Sequence, residues 1–394
     1  MSAAPLHLGL DVGTAMTRIA ADGTRTRVLT SRTPAGTMPD RVRAALGMVP
    51  RPVGRTCVIV PDAWFGGTVS GALAYEKVRH ACEDEYGIER ITWAGQMAAV
   101  AASCSGQRGQ GNYLVCDIGY AGVRAGSFTV GDGTVRTTLV MHADGCGWSD
   151  FDRSVRGAVG DDPLPHDWYT QAAQQADRAG EVFKNAAASP DHEDDRAYRL
   201  TGQREHRLTA RQMMDCFAPV REALGACVTA AAGAGWSGTV VLTGGLGWFP
   251  LAGLTVSEAA RTAAADIVVT RPDEAVRGAL LFARREVSAE PPAGPGAVSL
   301  PMHRVSAGLL VQESLDLPWH EPFARPPEGT LSLDREELVL MIAGQYRTFR
   351  LPGLVPGRYR IGVRAGWSDP GVLIVRAETG DIAHIISLAP ADDR

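Results

Sequence analysis

Asp11 and Asp117 stand in matching sequence contexts. The apolar run at residues 6–10 leads into Asp11-Val12-Gly13-Thr14, and apolar residues return at Ile19 and Ala20. The run at 113–116 leads into Asp117-Ile118-Gly119, and residues 123–130 return. Each segment reads as a β-hairpin with an acidic residue and a glycine at its bend, and the repetition points to internal duplication. A third apolar run, 239–242, ends in Thr243-Gly244-Gly245. Glycine lets backbone N–H groups come close to phosphate oxygens because no Cβ intervenes. A carboxylate beside phosphate is repelled unless a cation lies between them, so the two aspartates are expected to hold a hydrated Mg²⁺. Two such hairpins facing each other would clamp a polyphosphate. Either motif alone is a weak signal against an ordinary turn; the ordered set of three is a stronger one.

Rival chemistries lack their signatures. No glycine-rich loop ends in Lys-Ser or Lys-Thr, and no triple-glycine dinucleotide turn follows the first strand. The nine histidines show no ligand spacing, and there is no nucleophile elbow. Cysteines at 57, 82, 104, 116, 146, 216 and 227 include no pair spaced for zinc or redox work, and their odd number argues against a disulfide framework. Lysine occurs only at 77 and 184, so a catalytic lysine must be one of these two. A net charge of -5 excludes a broad electrostatic grip on nucleic acid. No signal-like start and no run of 18 apolar residues is present, so a cytoplasmic protein without membrane contact is expected. With 394 residues, 45% hydrophobic, the chain has material for two to three domains.

These motifs need elements to hold them. Strands are predicted at 6–10, around Ile19, and at 55–60, 113–116, 123–130, 137–141, 239–242 and 266–269. Helical spacing marks 73–87, 91–103, 151–159, 169–187 and 209–234, the last with Met213, Met214, Phe217, Val220 and Leu224 on one face, and a further helix opens at Asp273 and ends near Arg285. Residues 189–199 are a polar interruption. Three regions follow: an α/β domain at 1–286, a Pro/Gly-rich linker at 287–299 and an all-β domain at 300–394. The last carries short alternating runs at 337–342, 345–351, 359–363, 372–377 and 382–388, the pattern of a small β-sandwich.

With these motifs in order, the chain resembles the DnaK-type heat-shock chaperones of the actin-fold ATPase superfamily over most of its length. The resemblance implies an actin-like ATPase fold of two duplicated α/β lobes around a nucleotide cleft, followed by a small all-β sandwich domain. It places the first phosphate turn on Gly13, Thr14, Ala15 and Met16, and the second on Gly119, Tyr120, Ala121 and Gly122. Asp11 and Asp117 take the acidic positions that serve catalysis and Mg²⁺. Gly244, Gly245, Leu246, Gly247 and Trp248 fall on the adenosine turn, Asp273 on the segment after it, and Asp177, Glu181 and Lys184 over adenine and ribose. ATP or ADP with Mg²⁺ is the implied cofactor, and a polypeptide client or dedicated protein partner the implied ligand of the β-domain. Trp319, Tyr346 and Trp367 are its candidate anchors.

The chain also departs from that family. The second turn holds Tyr120, Ala121, Gly122 and Arg124 where the family has a glycine run, a threonine and a second aspartate. Residues 20–60 contain no lysine at the family's catalytic position, though Arg41, Arg43 or Arg51 could replace it. Ala94 stands near an expected glutamate, and nothing after the β-runs has the length of the family's helical lid. These losses predict slow or absent hydrolysis. The leading expectation is an ATP-binding, DnaK-like chaperone. The alternatives are a nucleotide-gated pseudoenzyme scaffold for one partner, a small-molecule kinase of the same fold and a filament-forming actin homologue.

Overall fold

A computed structural model describes the chain except residues 1–5, 23–26, 31–37, 50–52, 66–68, 89, 161–167, 169–196, 202–204, 264–265, 272, 295, 321–330, 367–370, 379–381 and 390–394. The described α-helices are α1 (Met38–Gly47), α2 (Val69–His80), α3 (Gln96–Arg108), α4 (Trp148–Val159), α5 (Ala210–Ala232), α6 (Pro250–Ala260) and α7 (Glu274–Arg284). None is long and apolar enough to cross a membrane. With several multi-stranded sheets beside them, the protein is mixed α/β. It falls into two compact units: Met1–Gly36 with Met48–Ile59 and Arg90–Glu290, and Thr37–Gly47 with Val60–Glu89 and Pro291–Arg394.

In the first unit, β1 (Leu6–Val12), β2 (Met16–Ala21), β3 (Arg27–Thr30), β4 (Val53–Val60) and β5 (Ile91–Gly95) form a sheet ordered β3-β2-β1-β4-β5. The chain continues through β6 (Gly111–Ile118), β7 (Gly122–Gly131) and β8 (Thr134–Asp144), then a separate hairpin of β9 (Ala197–Thr201) and β10 (Glu205–Thr209). With β11 (Thr239–Gly244), β12 (Val268–Val269) and β13 (Ser288–Ala289), the second sheet is ordered β12-β11-β6-β7-β8-β13. Each sheet contains a three-stranded antiparallel meander whose first strand also pairs in parallel with a later strand, β4 beside β1 and β11 beside β6.

Local sequence explains most of these elements. Leu8, Leu10 and Val12 are fully buried in β1, as are Leu114, Cys116 and Ile118 in β6. Thr209 caps α5 by accepting from the Gln212 N–H at 3.1 Å, and Met213, Phe217, Val220 and Leu224 then face the core. The predicted helix at 91–103 is instead two elements. Ile91, Thr92 and Trp93 favour an extended chain, and the helix starts only after the Gly95 cap. Helix α3 is packed against α7 so closely that a Cβ on Gly278 would lie 1.9 Å from the Ala99 carbonyl oxygen. Glu274 on α7 accepts from the Ser103 hydroxyl and, at 3.2 Å, from Gln107 on α3. The predicted helix at 169–187 lies outside the described residues.

In the second unit, β14 (Val298–Ser306), β15 (Leu309–Asp316), β16 (Leu331–Leu333), β17 (Glu337–Ile342), β18 (Gln345–Arg350), β19 (Gly357–Arg364), β20 (Val372–Ala377) and β21 (Ile382–Ser387) make two four-stranded sheets. Their orders are β15-β14-β17-β18 and β16-β19-β20-β21. One core joins them, with Leu300, Leu340, Phe349, Ile361, Leu373 and Val375 among its members. Helix α2 belongs to this unit. Its Ala72 packs on Val372 and Ile374, and its buried Glu76 accepts from Arg364 at 2.8 Å and Arg79 at 2.7 Å. The Arg364 guanidinium also lies 3.8 Å from the centre of the Tyr75 ring. Within the stretch read as a linker, Ser288 and Ala289 pair with β8, while the Pro292 and Gly296 carbonyls accept from His320 and Trp319.

Candidate functional site

The hairpin register sets an arginine directly across from each aspartate. Asp11 on β1 faces Arg18 on β2, and Asp117 on β6 faces Arg124 on β7. Arg18 donates to Asp11 Oδ2 at 3.0 Å, and Arg124 lies 3.6 Å from Asp117 Oδ2. Gln96, the first residue of α3, joins the two pairs: its Nε2 donates to Asp11 Oδ1 at 2.6 Å, and its Oε1 accepts from Arg124 at 3.0 Å. A continuous polar chain thus runs Arg18, Asp11, Gln96, Arg124, Asp117. Asp11 is 2% exposed and Asp117 9%. Burial pushes the Asp117 carboxyl above the ordinary carboxylate range; Arg124 opposes this, and Asp11 adds to it. Arg18 Nε is buried, with no hydrogen-bond partner among the described residues.

Both aspartates open onto a cavity of about 240 Å³ lined also by Met16, Arg18, Gln96, Met97, Val100, Thr243, Gly244, Gly245, Trp248 and Ala275. Pockets that enclose a whole small ligand usually run from about 300 to 1,000 Å³, so this volume suits one end of a ligand. The wall beside Asp117 is the end of β11, where Thr243 pairs with Asp117 and Gly244 with Ile118. Gly244 has φ +90°, and a Cβ there would lie 2.4 Å from Asp117 Oδ1 and from the Ile118 carbonyl oxygen. Only glycine satisfies both conditions. At Gly245 the nearest neighbour, a Trp148 ring carbon, is 3.8 Å from the same construction, so this glycine is not sterically required.

The second turn is used differently from the sequence expectation. The Gly119 N–H donates to the Gly122 carbonyl at 2.9 Å, while the carbonyls of Gly119, Tyr120 and Ala121 accept from Trp148, Ser149 and Gly145. The start of α4 therefore seats on this turn, and the Tyr120 ring stacks on Trp148 with centroids 6.1 Å apart. At the first turn, Gly13 donates to the Met16 carbonyl at 2.8 Å.

Of the residues singled out in the sequence, the cavity gathers Asp11, Met16, Asp117, Gly244, Gly245 and Trp248. Its lining does not include Gly13, Thr14, Ala15, Gly119, Tyr120, Ala121, Gly122, Leu246, Gly247 or Asp273. Leu246 is fully buried in the core instead, and Asp273 pairs with Arg277 at 3.0 Å. Asp177, Glu181 and Lys184 lie outside the described residues. The sequence reading missed Arg18, Gln96 and the pairing role of Arg124. The signal was present, since Asp11 and Arg18 are seven residues apart, as are Asp117 and Arg124.

The donor set tests the expected ligands. Both Asp11 oxygens are engaged, two guanidiniums balance two carboxylates, and no group of three His, Cys, Asp or Glu among the described residues is placed to hold a metal ion. Asp11 therefore has no oxygen free of a hydrogen bond with which to ligate a cation directly. No protein-family model matches the chain, and no curated protein matches it in sequence.

Proposed function

We propose that the protein binds ATP or ADP in the cavity between its two hairpins and engages a polypeptide through its C-terminal β-unit. The observation that carries this reading is convergence. Two hairpins from separate sheets, each with an aspartate at the same place, meet the glycine end of β11 at one cavity. The shared meander-plus-parallel-strand pattern of the two sheets supports duplicated actin-like lobes, and the common core of the two four-stranded sheets supports a β-sandwich. These features favour membership of the DnaK-type family, with nucleotide biasing how the protein holds its client through differential affinity for its conformations.

Hydrolysis in this reading is slow or absent. A general base must have an oxygen free to orient water, and both Asp11 oxygens are held by Arg18 and Gln96. This detail favours the nucleotide-gated scaffold as the second reading. For the client, Leu309 and Leu310 on the edge strand β15 are each 70% exposed, and Tyr346 is 64% exposed. An edge strand offers main-chain pairing to an extended peptide. Trp319 is not an anchor: it packs on the β-core and donates to the Gly296 carbonyl at 2.8 Å. Trp367 lies outside the described residues. Calorimetric titration with ATP and ADP tests the reading, and saturable binding of either supports it. Absence of binding to both sinks it, and rapid phosphorylation of a small metabolite would favour the kinase.

A further inference from the structure

We propose that this cavity takes the amino-bearing base of the nucleotide, the Asp117 carboxylate accepting from its exocyclic N–H, and leaves the phosphates outside. The proposal rests on the nucleotide reading above and reverses the polarity that the family resemblance implies. Charge decides the direction. The lining holds two carboxylates, Asp11 and Asp117, against one guanidinium, Arg18; Arg124 is not part of it. A surplus of negative charge repels phosphate and attracts a hydrogen-bond donor.

The two aspartates are not equivalent. Arg18 and Gln96 occupy both oxygens of Asp11. Asp117 accepts no hydrogen bond from any described residue: Arg124 stands 3.6 Å away and donates instead to Gln96 at 3.0 Å. The residue is nine-tenths buried, yet 13% of its side chain stays exposed, and it lines the cavity. A buried acceptor left unmatched is costly, and burial already pushes this carboxyl above the ordinary range. A ligand N–H supplies the missing partner and favours the ionised form. Thr243, opposite Asp117 in the β11 register, adds a hydroxyl to the lining, able to donate to a ring nitrogen beside the amino group. The rest of the lining includes Met16, Met97, Val100, Trp248 and Ala275, an apolar set that suits the faces of a flat base.

The test is calorimetric titration of the full-length protein, in magnesium buffer, with ATP, with purine riboside triphosphate, which lacks only the exocyclic amino group, and with tripolyphosphate. ATP is expected to bind at least about tenfold more tightly than purine riboside triphosphate, because a site built to pair with an N–H rejects the analogue lacking it. Tripolyphosphate should give no saturable heat and should not displace ATP. Asp117→Ala should weaken ATP binding by about tenfold while leaving purine riboside triphosphate within about threefold. Equal binding of the two triphosphates, or displacement of ATP by tripolyphosphate, would overturn the proposal and leave the nucleotide reading standing. Failure of ATP to bind at all would overturn both together. Should Asp117→Ala fail to fold, the wild-type comparison decides by itself.

Discussion

Glu76→Ala tests how the second unit is held together. Glu76 is fully buried on α2 and bonds two arginines, Arg79 on its own helix and Arg364 on β19. Removing one partner of a buried pair leaves an uncompensated charge and costs about 3–5 kcal/mol. Two features reduce that cost: Arg79 keeps Glu83, and Arg364 keeps the Tyr75 ring, a cation–π contact worth about 2 kcal/mol when desolvated. The net expectation is a loss of about 3 kcal/mol, toward the lower end of that range. Native-state hydrogen exchange of the β19 and β20 amides in urea measures it, because it reports the second unit separately from the first. The double variant Glu76→Met, Arg364→Met should recover most of the loss, since apolar groups of similar size replace buried ion pairs at little cost. A single-variant loss below about 1 kcal/mol, the level of an exposed pair, would refute the reasoning.

Three further outcomes follow from particular residues. Gly244→Ala should distort the Asp117 end of the cavity and weaken ATP binding, while Gly245→Ala should leave it within about threefold, since only Gly244 is crowded and at positive φ; titration calorimetry of both variants separates them. All seven cysteines are buried and unpaired, and burial pushes the Cys82 and Cys104 thiols up to about 12; thiol-reactive dye should therefore label the native protein slowly and all seven sites after denaturation. Burial lowers His320 to about 4 in the fold, against the opposing Pro292 carbonyl. The unfolded chain then binds the proton more tightly, so this group leaves stability unchanged above about pH 6.5 and erodes it as pH falls toward 4. His320→Asn, which tolerates the local φ of +62°, should flatten that slope in urea titrations of the second unit.

The sequence was most legible where one face is buried and caps are local. The α5 stripe, the hairpin at Asp117 and the run at 372–377 emerge from periodicity alone, with the register of the hairpin following from its tight turn. Helix α1 and strand β16 were not anticipated because their apolar pattern is short, and the local β14–β15 hairpin was not because Leu309, Leu310 and Val311 form an exposed run in place of an alternating one. The segment at 91–103 misled because a run of small residues suits a helix wherever it starts, while Ile91 to Trp93 are recruited as a sheet edge. At the site, the acidic and glycine positions were visible, but Arg18 and Gln96 were not. Cross-strand position gives Arg18 its meaning, and Gln96 matters only because α3 begins where its side chain reaches Asp11 on β1. Spacing along one segment carries no record of that crossing.

Hydrogen–deuterium exchange with and without ATP tests the central claim most directly, because it locates the ligand on the chain. The account predicts joint protection of three separate segments, residues 8–19, 113–124 and 242–248, since these form the cavity walls. Protection confined to the second unit, or ATP binding that leaves these three segments unchanged, would contradict it.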